Sequence, residues 1–304
     1  MLKIFLHSCH ACLERDNSQM LTSLGHDVTG QFDIGSNQRP KIKGVTDHNS
    51  DYKDADLILL HQSDRFPEIA RTYAEQGFPV ILSAFGQGSM PQHAKMAALT
   101  QENKKVKVVA YSKKDYEIYR LLGANVAMIR FCDWPDEYHA WQGNWPACLV
   151  MSNSIHRRGD ACGWDILVAL RATGLKIYVV GQDTQDMPYG LGMLPWGMLK
   201  VVMSQARCML SLGTVPAPYL MHQMQGLMAG MPVVAYDNDA GIAGEGLAGI
   251  KVDKAVNRLE SEVRELIENP PDIEWSKISR QSAIDNFGAE KIKAQWKEVL
   301  NEFE

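Results

Sequence analysis

The sequence predicts an α/β protein made of two doubly wound, parallel-sheet domains facing across a cleft. Short apolar runs alternate with helical patterns along the whole chain, without long heptads, short-period repeats or low-complexity tracts. Such runs suit parallel strands covered on both faces. The length, 304 residues, is enough for two domains that each bury a core. Residues 213–236 read as a loop, a helix, a glycine stop and a buried strand: Pro218 suits a first helical turn, and Gly230 the left-handed position after the last one.

The composition, 45% apolar and 22% charged, is that of a globular chain rather than a disordered one. A net charge of −5 gives no global attraction to nucleic acid or an anionic membrane. No run approaches the roughly 18 apolar residues of a membrane span. The first residues, Met1-Leu-Lys-Ile-Phe-Leu-His7, break too early for a signal peptide, so a cytoplasmic location is expected. Six cysteines do not make a disulfide framework in a chain this long. The cluster His7-Ser-Cys-His-Ala-Cys12 has no second CxxC to complete a zinc site and reads as a loop after the first strand, so no metal is expected.

Residues 3–7 form a first strand and 12–24 a helix, ending at Gly25-His-Asp-Val28. Residues 33–54, rich in Gly, Asn, Asp and Lys, read as loops. The run 54–61 is a buried strand with His61 and Asp64 at its carboxyl end, where doubly wound sheets bind ligands. A helix over 67–76 and a strand over 79–83 follow, then a strand over 106–112, a helix over 114–122 and a strand over 127–130. Polar work in this half falls to His7, His10, His61, Asp64 and Gln87, of which His10, His61 and Asp64 are the catalytic candidates. The second half offers strands at 147–152, 176–181, 207–212 and 250–252, and helices at 164–173, 196–206 and 258–268.

The segment Gln225-Gly-Leu-Met-Ala-Gly-Met-Pro-Val-Val-Ala235 resembles the donor-binding segment of GT-B glycosyltransferases, in particular glycosyltransferase family 4. The Arg157-Arg158 loop and the end of the chain, with Trp275, Asn286-Phe-Gly288 and Trp296, extend the resemblance over most of the sequence. It implies two Rossmann-like domains: an acceptor-side domain over 1–140, a nucleotide-sugar domain over 141–275, and a closing helix over 276–304 that crosses back to the first. It implies sugar transfer from a nucleotide diphosphate sugar to an acceptor hydroxyl, with retention, without metal and with no cofactor beyond that donor.

By the same resemblance, Arg157, Arg158 and the helix start at Tyr219, Leu220 and Met221 hold the donor diphosphate. Guanidinium forks and free helix N–H groups both suit phosphate oxygens. Gly181, Met193, Leu194, His222 and Gln225 hold the nucleoside. Two glutamates of the family pattern, eight positions apart, are Ala217 and Gln225 here, so only Gln225 keeps a polar side chain.

The expected partners are a nucleotide sugar and a small-molecule or glycan acceptor. Residues 1–150 carry 16 Lys and Arg against 17 Asp and Glu, which does not favour a membrane. The lysines at 104, 105, 107, 113 and 114 make DNA a second possible acceptor, as for bacteriophage enzymes that glycosylate hydroxymethylated bases; a degraded GT-B binding protein is the other alternative.

Overall fold

The computed structural model describes residues 1–8, 11–31, 51–61, 66–84, 89–214, 221–236, 247–253 and 255–304. His10, Asp64, Gln87, Ala217, Tyr219 and Leu220 lie outside the described residues. The chain divides into two compact units, Met1–Cys132 with Ala289–Glu304, and Asp133–Gly288.

In the first unit, β1 (Lys3–His7), α1 (Ala11–Ser23), β2 (Asp27–Gln31), β3 (Leu57–His61), α2 (Phe66–Glu75) and β4 (Val80–Ala84) lead to α3 (Met90–Glu102), β5 (Val106–Ala110), α4 (Lys113–Leu121) and β6 (Val126–Met128). The strands form one sheet in the order β2-β1-β3-β4-β5-β6, and every pairing is parallel. All residues of β3, β4 and β5 are buried, because helices cover both faces; this is why Leu57-Ile-Leu-Leu60 is continuously apolar rather than alternating. Each such side chain contributes about 1.5–3 kcal/mol by leaving water. The strand order reverses between β1 and β3.

The second unit contains β7 (Trp145–Met151), α5 (Ile155–Arg158), α6 (Trp164–Ala172), β8 (Ile177–Val180), β9 (Gly190–Gly192), α7 (Trp196–Gln205) and β10 (Ala206–Ser211). It continues with α8 (Met221–Ala229), β11 (Val233–Tyr236), β12 (Ile250–Asp253), α9 (Val256–Glu268) and α10 (Ile273–Phe287). Its sheet, also parallel throughout, runs β12-β11-β10-β7-β8-β9 and reverses between β7 and β10. The glycine stop read from the sequence is there: Gly230 has φ +83°, and a Cβ on it would stand 2.4 Å from Ser276 Oγ of α10. Left-handed backbone and tight packing of α10 on α8 both require glycine. The last helix, α11 (Ala289–Leu300), belongs to the first unit.

Helix α3 is absent from the sequence reading. Its start was nonetheless signalled by Ser89-Met-Pro-Gln92, a capping box in which the Gln92 side chain accepts from the Ser89 N–H at 2.9 Å.

The structure disperses the group of five lysines. Lys107 is an interior residue of β5, and its Nζ donates to both carboxylate oxygens of Glu302 at 2.7 Å and to Asn125 Oδ1 at 3.2 Å. Lys104 and Lys105 precede the strand and Lys113 and Lys114 follow it. The lysine side chain is covered but the Glu302 carboxylate is half exposed, so water screens the pair and Lys107 keeps Asn125 when the carboxylate is lost. Glu302→Ala is therefore expected to destabilise the protein by about 1 kcal/mol, and Lys107→Met, which removes the covered charge itself, by less; urea unfolding of both variants checks the order, and equal losses would contradict it.

Candidate active site

In doubly wound sheets the crevice for ligands opens at the carboxyl ends of the strands where the order reverses. Each unit has one such point, and polar residues gather at both.

In the second unit the point lies between β7 and β10. The loop after β7 is braced against the loop after β8: Ser152 N–H donates to Val180 O, Gln182 N–H to Asn153 Oδ1 at 2.9 Å, and Ser154 N–H to Gln182 O at 2.7 Å. Gly181 permits this approach, because a Cβ there would come within 2.2 Å of Ser152 O. Ser154 (φ 51°) and Asp183 (φ 60°), both left-handed, are joined by a Ser154 Oγ to Asp183 Oδ2 bond of 2.7 Å. Arg157 Nη2 donates to Ser154 Oγ at 3.2 Å and lies 3.8 Å from Asp183 Oδ2. Arg158, on the next position of α5, is exposed and has no ion-pair partner among the described residues, so both guanidinium groups reach solvent at the strand ends.

On the other side of the reversal point, β10 ends at Ser211 and α8 begins at Met221. Gln223 Nε2 donates to Ser211 Oγ at 2.8 Å, and Ser211 Oγ lies 2.8 Å from His222 Nε2. Burial pushes the His222 pKa down to about 4, so the imidazole is neutral at physiological pH. Gln225, one turn further, is only 6% exposed, and no hydrogen bond joins its amide to another of the described residues. Covered amides are almost always paired, by protein, water or ligand. Among the described residues of the site, Gln225 is thus an open hydrogen-bonding group.

Gln225→Leu is expected to leave folding stability unchanged or raised by up to about 1 kcal/mol, because it removes an unpaired covered amide, while ligand affinity falls by roughly 1–3 kcal/mol. Paired thermal and calorimetric measurements test the opposite signs.

Met193 is exposed and Leu194 half-buried, at the carboxyl end of edge strand β9. With strands about 4.8 Å apart, the edge from β10 through β7 and β8 to β9 spans roughly 15 Å. The order of candidates along it is the start of α8, the arginine pair, Gly181, then Met193 and Leu194.

In the first unit the reversal point lies between β1 and β3. His61 is 2% exposed, with both ring nitrogens engaged: Nδ1 with Ser8 Oγ at 2.8 Å and Nε2 with Asn17 Nδ2 at 2.7 Å. The Asn17 amide nitrogen can only donate, which puts the His61 proton on Nδ1, facing Ser8. Asn17 Nδ2 also donates to Tyr111 OH at 3.3 Å, and Tyr111 OH lies 2.6 Å from Ser83 Oγ. His7 is half-buried, its Nδ1 2.9 Å from Tyr73 OH. His61 thus meets this edge of the sheet through Ser8. Sequence reading missed Ser8, Asn17, Tyr111, Asp183, Ser211 and Gln223; Ser211 ends a strand and Ser8 and Asp183 follow strand ends, which is the one signal they carry.

Among the described residues no group of three or more His, Cys, Asp or Glu is placed to hold a metal ion. No described helix is long and apolar enough to cross a membrane.

The two reversing parallel sheets define a class of architecture, and solved structures share it across the whole chain. HepE from Anabaena, in complex with UDP and glucose, superposes with a TM-score of 0.78 at 13% identity, covering 99% of this chain and 100% of that one. Sucrose-phosphate synthase from Thermosynechococcus elongatus gives 0.75 at 12% identity, with 99% of each chain covered. AviGT4, a glycosyltransferase involved in avilamycin A biosynthesis, gives 0.66 at 13%, covering 99% of this chain and 97% of that one. No protein-family model matches the sequence, and no curated protein sequence does. At these identities the likeness is one of fold, and the fold is GT-B.

Proposed function

We propose that the protein is a glycosyltransferase that moves a sugar from a nucleotide diphosphate sugar to an acceptor hydroxyl. One observation carries this reading: at the reversal point of the second sheet, two exposed guanidinium groups follow β7, and α8, which follows the neighbouring strand β10, carries Gln225, a covered residue whose amide has no partner among the described residues. Cations next to a positive helix end suit a diphosphate, and an unpaired amide suits a sugar hydroxyl, which can donate or accept. HepE was solved with UDP and UDP-glucose, which makes uridine the first base to test.

In the proposed reaction Arg157 and Arg158 neutralise the departing diphosphate, assisted by the N–H groups at the start of α8. This is electrostatic stabilisation of the leaving group without a covalent step. Transfer with retention and without metal, in the manner of glycosyltransferase family 4, is part of the proposal, with the first unit as the acceptor side and a small molecule or glycan as acceptor. Thermal shift against a panel of nucleotide sugars, followed by mass spectrometry of the product from the best stabiliser, tests it. No stabilisation by any nucleotide sugar or nucleoside diphosphate would refute it.

A further inference from the structure

His222 has an atom to spare. Gln223 Nε2, which can only donate, occupies a lone pair of Ser211 Oγ, and Ser211, 1% exposed, has the His222 Nε2 at 2.8 Å as the acceptor for its own proton. If His222 instead donated from Nε2, the buried Ser211 hydroxyl proton would have no acceptor, which is the costlier arrangement. The chain Gln223 to Ser211 to His222 therefore fixes the neutral imidazole with its proton on Nδ1. Among the described residues no other one bonds to that ring, which leaves the Nδ1–H available as a donor. It sits at the second position of α8, a nine-residue helix, three positions before the unpaired and 94% covered Gln225.

We propose that His222 is a ligand-binding residue of this site, whose Nδ1–H donates to a phosphate oxygen of a nucleoside diphosphate while Gln225 meets a neighbouring hydroxyl. The inference rests on the donor-site reading above. It follows from charge and hydrogen bonding together. A phosphate oxygen is purely an acceptor, the first turn of a helix favours negative charge, and an imidazolium there would be opposed by the same helix dipole. A neutral donor adds a directed bond without a charge to desolvate.

The test has two parts on the full chain. Long-range proton–nitrogen NMR at pH 7 reads the tautomer directly, and the Nδ1–H form is expected; a dominant Nε2–H form overturns the proposal. Calorimetry with UDP, GDP and ADP then compares wild type, His222→Asn, which keeps an N–H near the Nδ1 position, and His222→Leu, which does not. The expected result is that His222→Leu weakens the tightest nucleotide about tenfold and His222→Asn much less, the size of a hydrogen bond to a charged group. The His222 Nδ1–H resonance should shift when that nucleotide is added. Binding that leaves the resonance and the His222→Leu affinity unchanged, yet is lost in the Arg157 and Arg158 double variant, overturns the His222 assignment alone. No binding of any of the three to wild type overturns both the assignment and the donor-site reading.

Discussion

Replacing Arg157 and Arg158 together by alanine is expected to abolish the stabilisation of the protein by a nucleoside diphosphate while leaving the unliganded fold nearly unchanged. Both side chains are exposed. Exposed ion pairs such as Arg157 with Asp183 contribute little to stability, about 0–1 kcal/mol, because water screens the charges and two long side chains lose freedom. A bound diphosphate is a different partner, with several acceptor oxygens for charge-assisted and bidentate bonds. At a ligand concentration one hundred times the dissociation constant, binding adds about 2.7 kcal/mol of stability. Loss of two charge-assisted contacts, each about 1.5–3 kcal/mol, removes essentially all of it. Thermal unfolding with and without UDP measures both effects. An undiminished shift in the double variant would take these arginines out of the site.

The sequence was informative where one physical cause acts locally. The run Leu57–His61 had to be a covered strand, and Gly230 had to end a helix. It was silent where the cause is a contact between distant segments. Lys107 reads as part of a basic surface cluster, but its partner, Glu302, is 195 positions away and draws it out of that cluster. Asn17 and His61, 44 positions apart, give no hint of a bond until β3 is laid beside β1. The same holds at the second reversal point, where Ser211 looks like the unremarked end of a strand until α8 brings His222 and Gln223 to it. Periodicity records which face a residue occupies; which neighbour it meets there is decided by strand order.

Acid should weaken the wild type more than a variant in which His222 is replaced by glutamine. The His222 pKa is lowered by burial from 6.5 to about 4, and its hydrogen-bonding neighbours, Ser211 and Gln223, carry no charge to offset this. A folded-state pKa below the unfolded one means that the unfolded chain binds the proton more readily. The contribution of the neutral histidine is therefore fully present above about pH 6.5 and is lost as the pH falls towards 4. A gap of about 2.5 pKa units corresponds to at most roughly 3 kcal/mol, since His222 keeps part of its surface in water. Glutamine cannot titrate, so His222→Gln removes this term while losing about 1 kcal/mol from the altered bond to Ser211. The two stability curves should cross: wild type more stable at pH 7, the variant more stable by up to about 2 kcal/mol near pH 4. Urea unfolding at half-unit steps of pH measures the difference directly, and parallel curves over that range would show that His222 titrates alike in the folded and unfolded chain.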